Sequence, residues 1–442
     1  MNCHLISVSI IIIVDLIFVL SIELVDNDKK DVYYTLTILA NIPQTIRMNG
    51  FDSENHTVIT NDGYRLQLYR IVNPYRLSNK IGYPILLFNG LTESPQKYIS
   101  TTNGWFNRTT GIYTEYDNQF ENRLEIDCRS DRLPPIRFGR NIAFTLAACG
   151  FDVWLTNVRD NIHEASHLRF NIDDSRYWNI TLDHYTLDAM ANIDYVRREN
   201  IKRSTTTVGI VCYSLSCLSI FQLMSIDEKY NDLIRPLFLL APNIYMRSML
   251  SLPIIFLGSL EPVFRNIPQS TVDVVPILPY LANQLEKNEF LRIMYMFSLM
   301  LLAGSNNHEF IPENLYRLMA HFPNTVSLQV FSHIGQRYSN HSDHHLYRFD
   351  YGSKENLNVY GTLKPPYYDL NEITNQCMIL WHGSSDLISD DNDIERLQQD
   401  LSVKFLEIFH NDYSHLDFVN GRTVNMTVVK PMVEILFRLG YH

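Results

Sequence analysis

Ser214, Asp386 and His415 are far apart in the chain, but they are the residue types that serine-based nucleophilic chemistry requires. A serine hydroxyl is a weak nucleophile by itself. An imidazole must take its proton, and a carboxylate must fix the imidazole tautomer and stabilise its charged form. Taken singly each is weak evidence, since a lone serine is usually structural and a lone loop aspartate or histidine usually solvated. What sets these three apart is the stretch before each. Ser214 follows "TTTVGIV" (205–211) and precedes an apolar helical pattern through Leu218, Phe221 and Leu223. Asp386 follows "CMILWHG" (377–383), and His415 follows "SVKFLEIFH" (402–410). A fourth apolar run, "PILLF" (84–88), leads into "NGLTES".

These runs, with "FDVWLTNV" (151–158) and "PLFLLAP" (236–242), read as buried parallel strands. Helical stretches lie between them. "GRNIAFTLAACG" ends at Gly150, a helix C′ position, and "TLDHYTLDAMANIDYVRREN" precedes the strand before Ser214. Strands alternating with helices predict an α/β fold with a mostly parallel sheet, whose sites form at the carboxyl ends of the strands. The order Ser, Asp, His is that of the α/β-hydrolases, in which the nucleophile stands in a G-x-S-x-G elbow. Here the elbow is Cys212-Tyr213-Ser214-Leu215-Ser216, without either glycine. Residues 26–244 and 370–442 are assigned to the two parts of the core, with a polar, aromatic insertion over about 101–135. Residues 245–369 are Leu- and Met-rich and include "NEFLRIMYMFSLMLLAG" (288–304), too interrupted for a membrane span. They are read as a helical cap or lid over the site.

The 442 residues are 46% hydrophobic and 19% charged, which places the chain among globular proteins, and a net charge of −11 excludes nucleic acid as a main partner. "LISVSIIIIVDLIFVL" (5–20) suits the h-region of a signal peptide within residues 1–25, with an uncleaved anchor as the alternative. Sequons at Asn55, Asn107, Asn179, Asn340 and Asn425 are compatible with N-glycosylation and secretion. Cys149 and Cys377 sit in apolar contexts and read as small core residues, whereas Cys128 is a bridge candidate without an obvious mate. His333, His341, His344 and His345 crowd one polar segment that reads as a solvated loop, so no metal ligand is assigned.

Longer strings carry a specific resemblance. "MNGFDSENHTVITNDGYRLQLYRI", "GFDVWLTNVRDN", "FDYGSKENLNVYGTLKPPYYDL" and "YSHLDF" are similar to segments of the acid lipase family of gastric and lysosomal lipases and their invertebrate relatives. The similarity runs from about Ile38 to the C-terminus. It implies an α/β-hydrolase core with a helical cap, and carboxylic-ester hydrolysis on neutral lipids, triacylglycerol or sterol ester. It also implies Ser214 as nucleophile, Asp386 as acid, His415 as base, and the backbone N–H groups of Leu91 and Leu215 as the oxyanion hole. No cofactor or metal is expected. The implied partners are a lipid ester and a lipid–water interface, with no nucleic acid and no obligate protein partner, and the implied location is extracellular or lysosomal. Four departures stand out: C-Y-S-L-S for G-H-S-Q-G, Asn89 for the histidine of H-G-L, Asp160 for a glycine in "NVRDN", and no counterpart to the family's cap cysteines. The altered elbow raises one alternative, a lipase-like protein that binds lipid without catalysis.

Overall fold

The computed structural model describes residues 38–75, 82–116, 123–126, 138–201, 206–267, 270–306, 308–339 and 345–441. The 5–20 segment, Cys3, Cys128, Asn340, His341, His344 and part of the 101–135 insertion lie outside the described residues.

Eight strands carry the central sheet: β1 (Asp52–Ile59), β2 (Tyr64–Val72), β3 (Pro84–Phe88), β4 (Asp152–Leu155), β5 (Val208–Tyr213), β6 (Ile234–Leu240), β7 (Met378–Gly383) and β8 (Leu406–His410). Their order is β1-β2-β4-β3-β5-β6-β7-β8, and a short strand, Ala165–His167, adds to β2. β1 and β2 form an antiparallel hairpin, β2 meets β4 antiparallel, and every later pair is parallel. The register sets Phe88 beside Cys212, Tyr213 beside Leu240, and Gly383 beside His410. The carboxyl ends of β3, β5, β7 and β8 therefore share one edge. This is an α/β-hydrolase core.

Each inner strand is apolar on both faces because helices cover both. Along β3, Leu86 and Phe88 join Trp154, Ile210 and Leu239 on one face, while Ile85 and Leu87 join Val153, Val211 and Trp381 on the other. The first face packs on α2 (Tyr185–Ile201) and α3 (Ser216–Ile226), the second on α1 (Ile142–Ala148). Each of the six predicted runs overlaps a strand. The β1–β2 hairpin was not predicted, because β1 ("DSENHTVI") is a polar outer strand with a single buried residue and no apolar run to read.

Between β6 and β7 the chain passes through α4 (Leu252–Ser259), α5 (Leu278–Lys287), α6 (Glu289–Ala303), α7 (Leu315–His321) and α8 (Leu328–Ser339). α6 begins at Asn288, whose side chain accepts the Leu291 N–H, and stops at Gly304 with φ +98°. Among the described residues no helix is long and apolar enough to cross a membrane. One cysteine reading is corrected, and one bridge was not predicted. Cys149 is disulfide-bonded, and Cys212 is bridged to Cys217. Cys377 is free. One histidine reading is corrected as well: His333 is buried within α8, its ring accepting from Arg337, and not part of a solvated loop.

Candidate active site

The site starts at the β5–α3 turn. β5 is fully buried and ends at Tyr213, and α3 begins two residues after the serine. The turn forces Ser214 to φ +57°, a left-handed conformation that costs a non-glycine residue about 1–2 kcal/mol and is offset only by its surroundings. Those surroundings are specific. The Ser214 N–H donates to the Leu240 carbonyl on β6 at 2.9 Å, and its own carbonyl accepts from Asn243 and Cys217.

The three predicted residues meet. Ser214 Oγ lies 2.8 Å from His415 Nε2, and His415 Nδ1 lies 2.7 Å from Asp386 Oδ2. The other oxygen of Asp386 accepts the N–H groups of Ile388 and Ser389, each at 2.8 Å. All three residues are buried, so the chain works in a low dielectric where its hydrogen bonds are strong. A hydroxyl, an imidazole and a carboxylate in this sequence can activate the hydroxyl by proton transfer to the imidazole.

α6 comes down on the same place. The Ala303 carbonyl accepts the His415 N–H at 3.0 Å and the Leu387 N–H at 3.4 Å. The end of α6 thus holds the backbone of the segment bearing the imidazole and of the segment bearing its carboxylate. Next to it, Asp417 accepts the Ser414 N–H at 2.7 Å, and burial pushes its carboxyl up to about 7.

The loop after β3 packs directly on the serine. A Cβ on Gly90 would come within 3.2 Å of Ser214 Cβ, so only glycine fits without displacement. Neither the Leu91 nor the Leu215 N–H donates to another group among the described residues. Sequence reasoning missed how this loop is held. Glu93 accepts the Gly90 N–H at 3.0 Å and forms a buried ion pair with Lys97, while Asn89 Nδ2 donates to the Glu93 carbonyl at 2.8 Å. The only sequence signal was a Glu-Lys pair at i,i+4 in "ESPQK".

The substituted elbow positions are likewise engaged. Tyr213 lines neither of the two cavities that flank the site. It is buried, its hydroxyl donates to the His415 carbonyl at 2.9 Å, and its ring stands beneath Lys97 Nζ at 4.0 Å. Leu215 does border a cavity. Ser216 Oγ accepts the Tyr213 N–H at 3.0 Å and donates either to the Phe88 carbonyl, 3.0 Å away, or to that of Tyr213, 2.9 Å away. Asp160 accepts from the Tyr185 hydroxyl at 2.5 Å and from the Ser327 N–H at 3.3 Å, and burial pushes its carboxyl up to about 7. Its carbonyl accepts from Thr325 Oγ1, so the position joins β4's outgoing loop to the segment between α7 and α8.

Two cavities flank the site. One, of about 690 Å³ and open to solvent, lies between the Glu93–Lys97 turn, Phe310, Leu315 and Leu416. The other, of about 460 Å³, runs along Asn89, Leu91, Asp160 and Leu215. Asn55, Asn107 and Asn179 are exposed, whereas Asn425 is half-buried and donates its amide to the Phe138 carbonyl.

Residues 42–102 match the family model described as a partial alpha/beta-hydrolase lipase region. The chain is 26% identical to bovine (Bos taurus) gastric triacylglycerol lipase over 90% of this chain and 91% of the relative. It is 25% identical to Drosophila melanogaster Lipase 1, covering 89% and 79%, and 24% identical to a putative lysosomal acid lipase/cholesteryl ester hydrolase of Crotalus adamanteus, covering 91% of both. The chain is similar to the acid lipases over most of its length. The class that goes with this kinship is ester hydrolysis. Among solved structures, a soluble variant of the Saccharomyces cerevisiae monoglyceride lipase is similar with a TM-score of 0.48 at 12% identity, covering 91% of this chain and 96% of that one.

Proposed function

We propose that this chain hydrolyses carboxylic esters of neutral lipids, triacylglycerol or sterol ester, through an acyl-serine intermediate. The observation that carries the proposal is the unbroken Ser214–His415–Asp386 hydrogen-bond chain at the sheet edge. Ser214 Oγ attacks the ester carbonyl carbon while His415 Nε2 takes its proton. Asp386 holds the imidazole through Nδ1 and stabilises its positive charge. The carbonyl oxygen becomes an oxyanion facing the free N–H groups of Leu91 and Leu215, and each such donor is worth about 3 kcal/mol. Collapse breaks the ester C–O bond, and His415 returns the proton to the departing alkoxide oxygen. A water molecule, deprotonated by His415, then releases the fatty acid and regenerates Ser214.

The apolar surface supports a lipid–water interface as the place of action. On α6, Phe290, Ile293, Phe297 and Leu301 are exposed along one stripe, and Leu252 and Phe256 are exposed on α4. Soluble monomers rarely expose apolar patches of this kind without a use for them. Kinship with gastric and lysosomal lipases supports a secreted or lysosomal location.

The test is hydrolysis of a triglyceride emulsion, a sterol ester and a soluble short-chain ester by wild type and Ser214→Ala. A loss of roughly 10⁴-fold or more in a folded variant is expected. A folded wild type that hydrolyses none of them and does not react with a serine-directed phosphonate refutes the proposal in favour of lipid binding without catalysis.

A further inference from the structure

The missing elbow glycine and the Cys212–Cys217 bridge occupy the same place. In G-x-S-x-G, the glycine two residues before the nucleophile leaves room for the following helix to pack back onto the strand. Position 212 here carries a side chain, bonded to the second residue of α3. Bonded sulfurs sit about 2 Å apart, whereas unbonded heavy atoms keep about 3.5–4 Å. The bond therefore lets two side chains share a space that two free thiols would have to widen. Both residues are wholly buried, with no solvent side to which either could swing.

The ring closed by this bridge contains Tyr213, Ser214, Leu215 and Ser216. It thus includes the attacking oxygen and one of the two free N–H groups. The other, that of Leu91, belongs to a separate segment held by Glu93 and Asn89. Widening the ring would move Ser214 and Leu215 relative to both Leu91 and His415. The cavity walls formed by Phe310, Leu315 and Leu416 lie outside the ring and would stay where they are.

We propose that the Cys212–Cys217 bridge is the positioning device of the nucleophile, performing covalently the task that close glycine packing performs in G-x-S-x-G. The proposal rests on Ser214 being the nucleophile. Because the ring holds the reacting atoms and meets the cavity walls only at Leu215 and Ser216, on the smaller cavity, its loss reduces turnover far more than it weakens substrate binding.

The test uses the full chain produced in an oxidising secretory host, as wild type, Ser214→Ala, Cys212→Ala/Cys217→Ala and Cys212→Gly/Cys217→Ala. The readouts are kcat and KM on a soluble short-chain ester, the rate of phosphonate labelling, and melting by circular dichroism. The alanine pair is expected to lose tenfold or more in kcat and labelling rate, with KM within about twofold. The glycine pair is expected to regain at least threefold of that loss. A bridge that merely staples the fold would lower the melting temperature and leave kcat unchanged well below the melt, which overturns the proposal. So does a glycine pair no better than the alanine pair. If the alanine pair does not fold, the wild type is reduced in graded steps with a phosphine and the released Cys212 thiol is followed by peptide mapping. Labelling that does not fall as that thiol appears also overturns the proposal. Activity that survives Ser214→Ala refutes the underlying assignment of the nucleophile, a separate failure from that of the bridge.

Discussion

Gly304→Ala tests whether the end of α6 holds Asp386 and His415 in register. Gly304 has φ +98° and ψ 171°, a region open in practice only to glycine, at a cost of about 1–3 kcal/mol for any other residue. A Cβ there would overlap the Ser385 carbonyl oxygen and come within 3.3 Å of Ser414 Cβ. Ser385 directly precedes Asp386, and Ser414 directly precedes His415. The helix end can relieve the overlap only by withdrawing, and it takes with it the Ala303 carbonyl that holds His415 N–H and Leu387 N–H. Loss of a buried backbone hydrogen bond adds about 1–3 kcal/mol. The expected destabilisation is about 2–6 kcal/mol. A displacement near 1 Å at reacting groups can cost about 10²-fold in rate, and that is the expected fall in kcat. The assay is a soluble short-chain ester, which removes interfacial binding from the comparison, run well below the variant's melting temperature. Gly361→Ala is the control. It also has positive φ, but a Cβ there meets nothing, so it should lose stability and keep kcat. A folded Gly304→Ala protein with kcat within threefold of wild type refutes the reasoning.

Four other outcomes are expected. Glu93→Gln leaves Lys97 buried without its partner and should cost about 3–5 kcal/mol in denaturant unfolding, with most of it regained in Glu93→Gln/Lys97→Met. Tyr213→Phe removes the bond to the His415 carbonyl and should cost about 1 kcal/mol in stability, with a few-fold drop in kcat. Asp160 is held up to about 7 by burial, so between the unfolded value near 4 and about pH 7 the unfolded chain gives up a proton that the folded chain keeps. Its contribution to stability therefore falls as pH rises through that window, and Asp160→Asn should gain on wild type from pH 4 to 7 in paired urea titrations; parallel curves refute it. Ser216→Gly restores the glycine of G-x-S-x-G and should nonetheless lower stability.

Much of the core was legible because buried parallel strands are short apolar runs, and the residues just after each run form the functional edge. The residues 205–211 run led to Ser214, and the runs at 377–383 and 402–410 led to Asp386 and His415. Other features were hidden for physical reasons. β1 is an outer strand whose residues alternate weakly, so it has no apolar signature. The Cys212–Cys217 bridge joins residues five apart across a turn, and only the turn's geometry shows that their side chains converge. Cys149 lies at an apolar helix end, where a bridged and an unbridged cysteine look alike in sequence. The support from Ala303 and Gly304 joins segments more than 80 residues apart, which no local pattern encodes.

The departures from the family pattern are not independent losses, and Ser216 shows why. Its hydroxyl accepts the Tyr213 N–H and lies within hydrogen-bond distance of the Phe88 carbonyl, so it ties the elbow to the end of β3. Phe88 leads into the Asn89–Leu91 loop, whose Asn89 side chain is in turn bonded to Glu93. Returning position 216 alone to glycine removes a buried hydroxyl and its bond to the Tyr213 N–H, while the Phe88 carbonyl keeps the Tyr98 hydroxyl at 2.7 Å. An unsatisfied buried group costs about 1–3 kcal/mol, and glycine in the first turn of α3 adds up to about 1 kcal/mol. The expected result for Ser216→Gly is a loss of about 1–4 kcal/mol in unfolding free energy and a kcat no higher than wild type. If Ser216→Gly instead raises kcat at unchanged stability, the serine is a defect in the elbow that the fold merely tolerates, and the hydrogen bonds it makes carry no weight in holding Ser214.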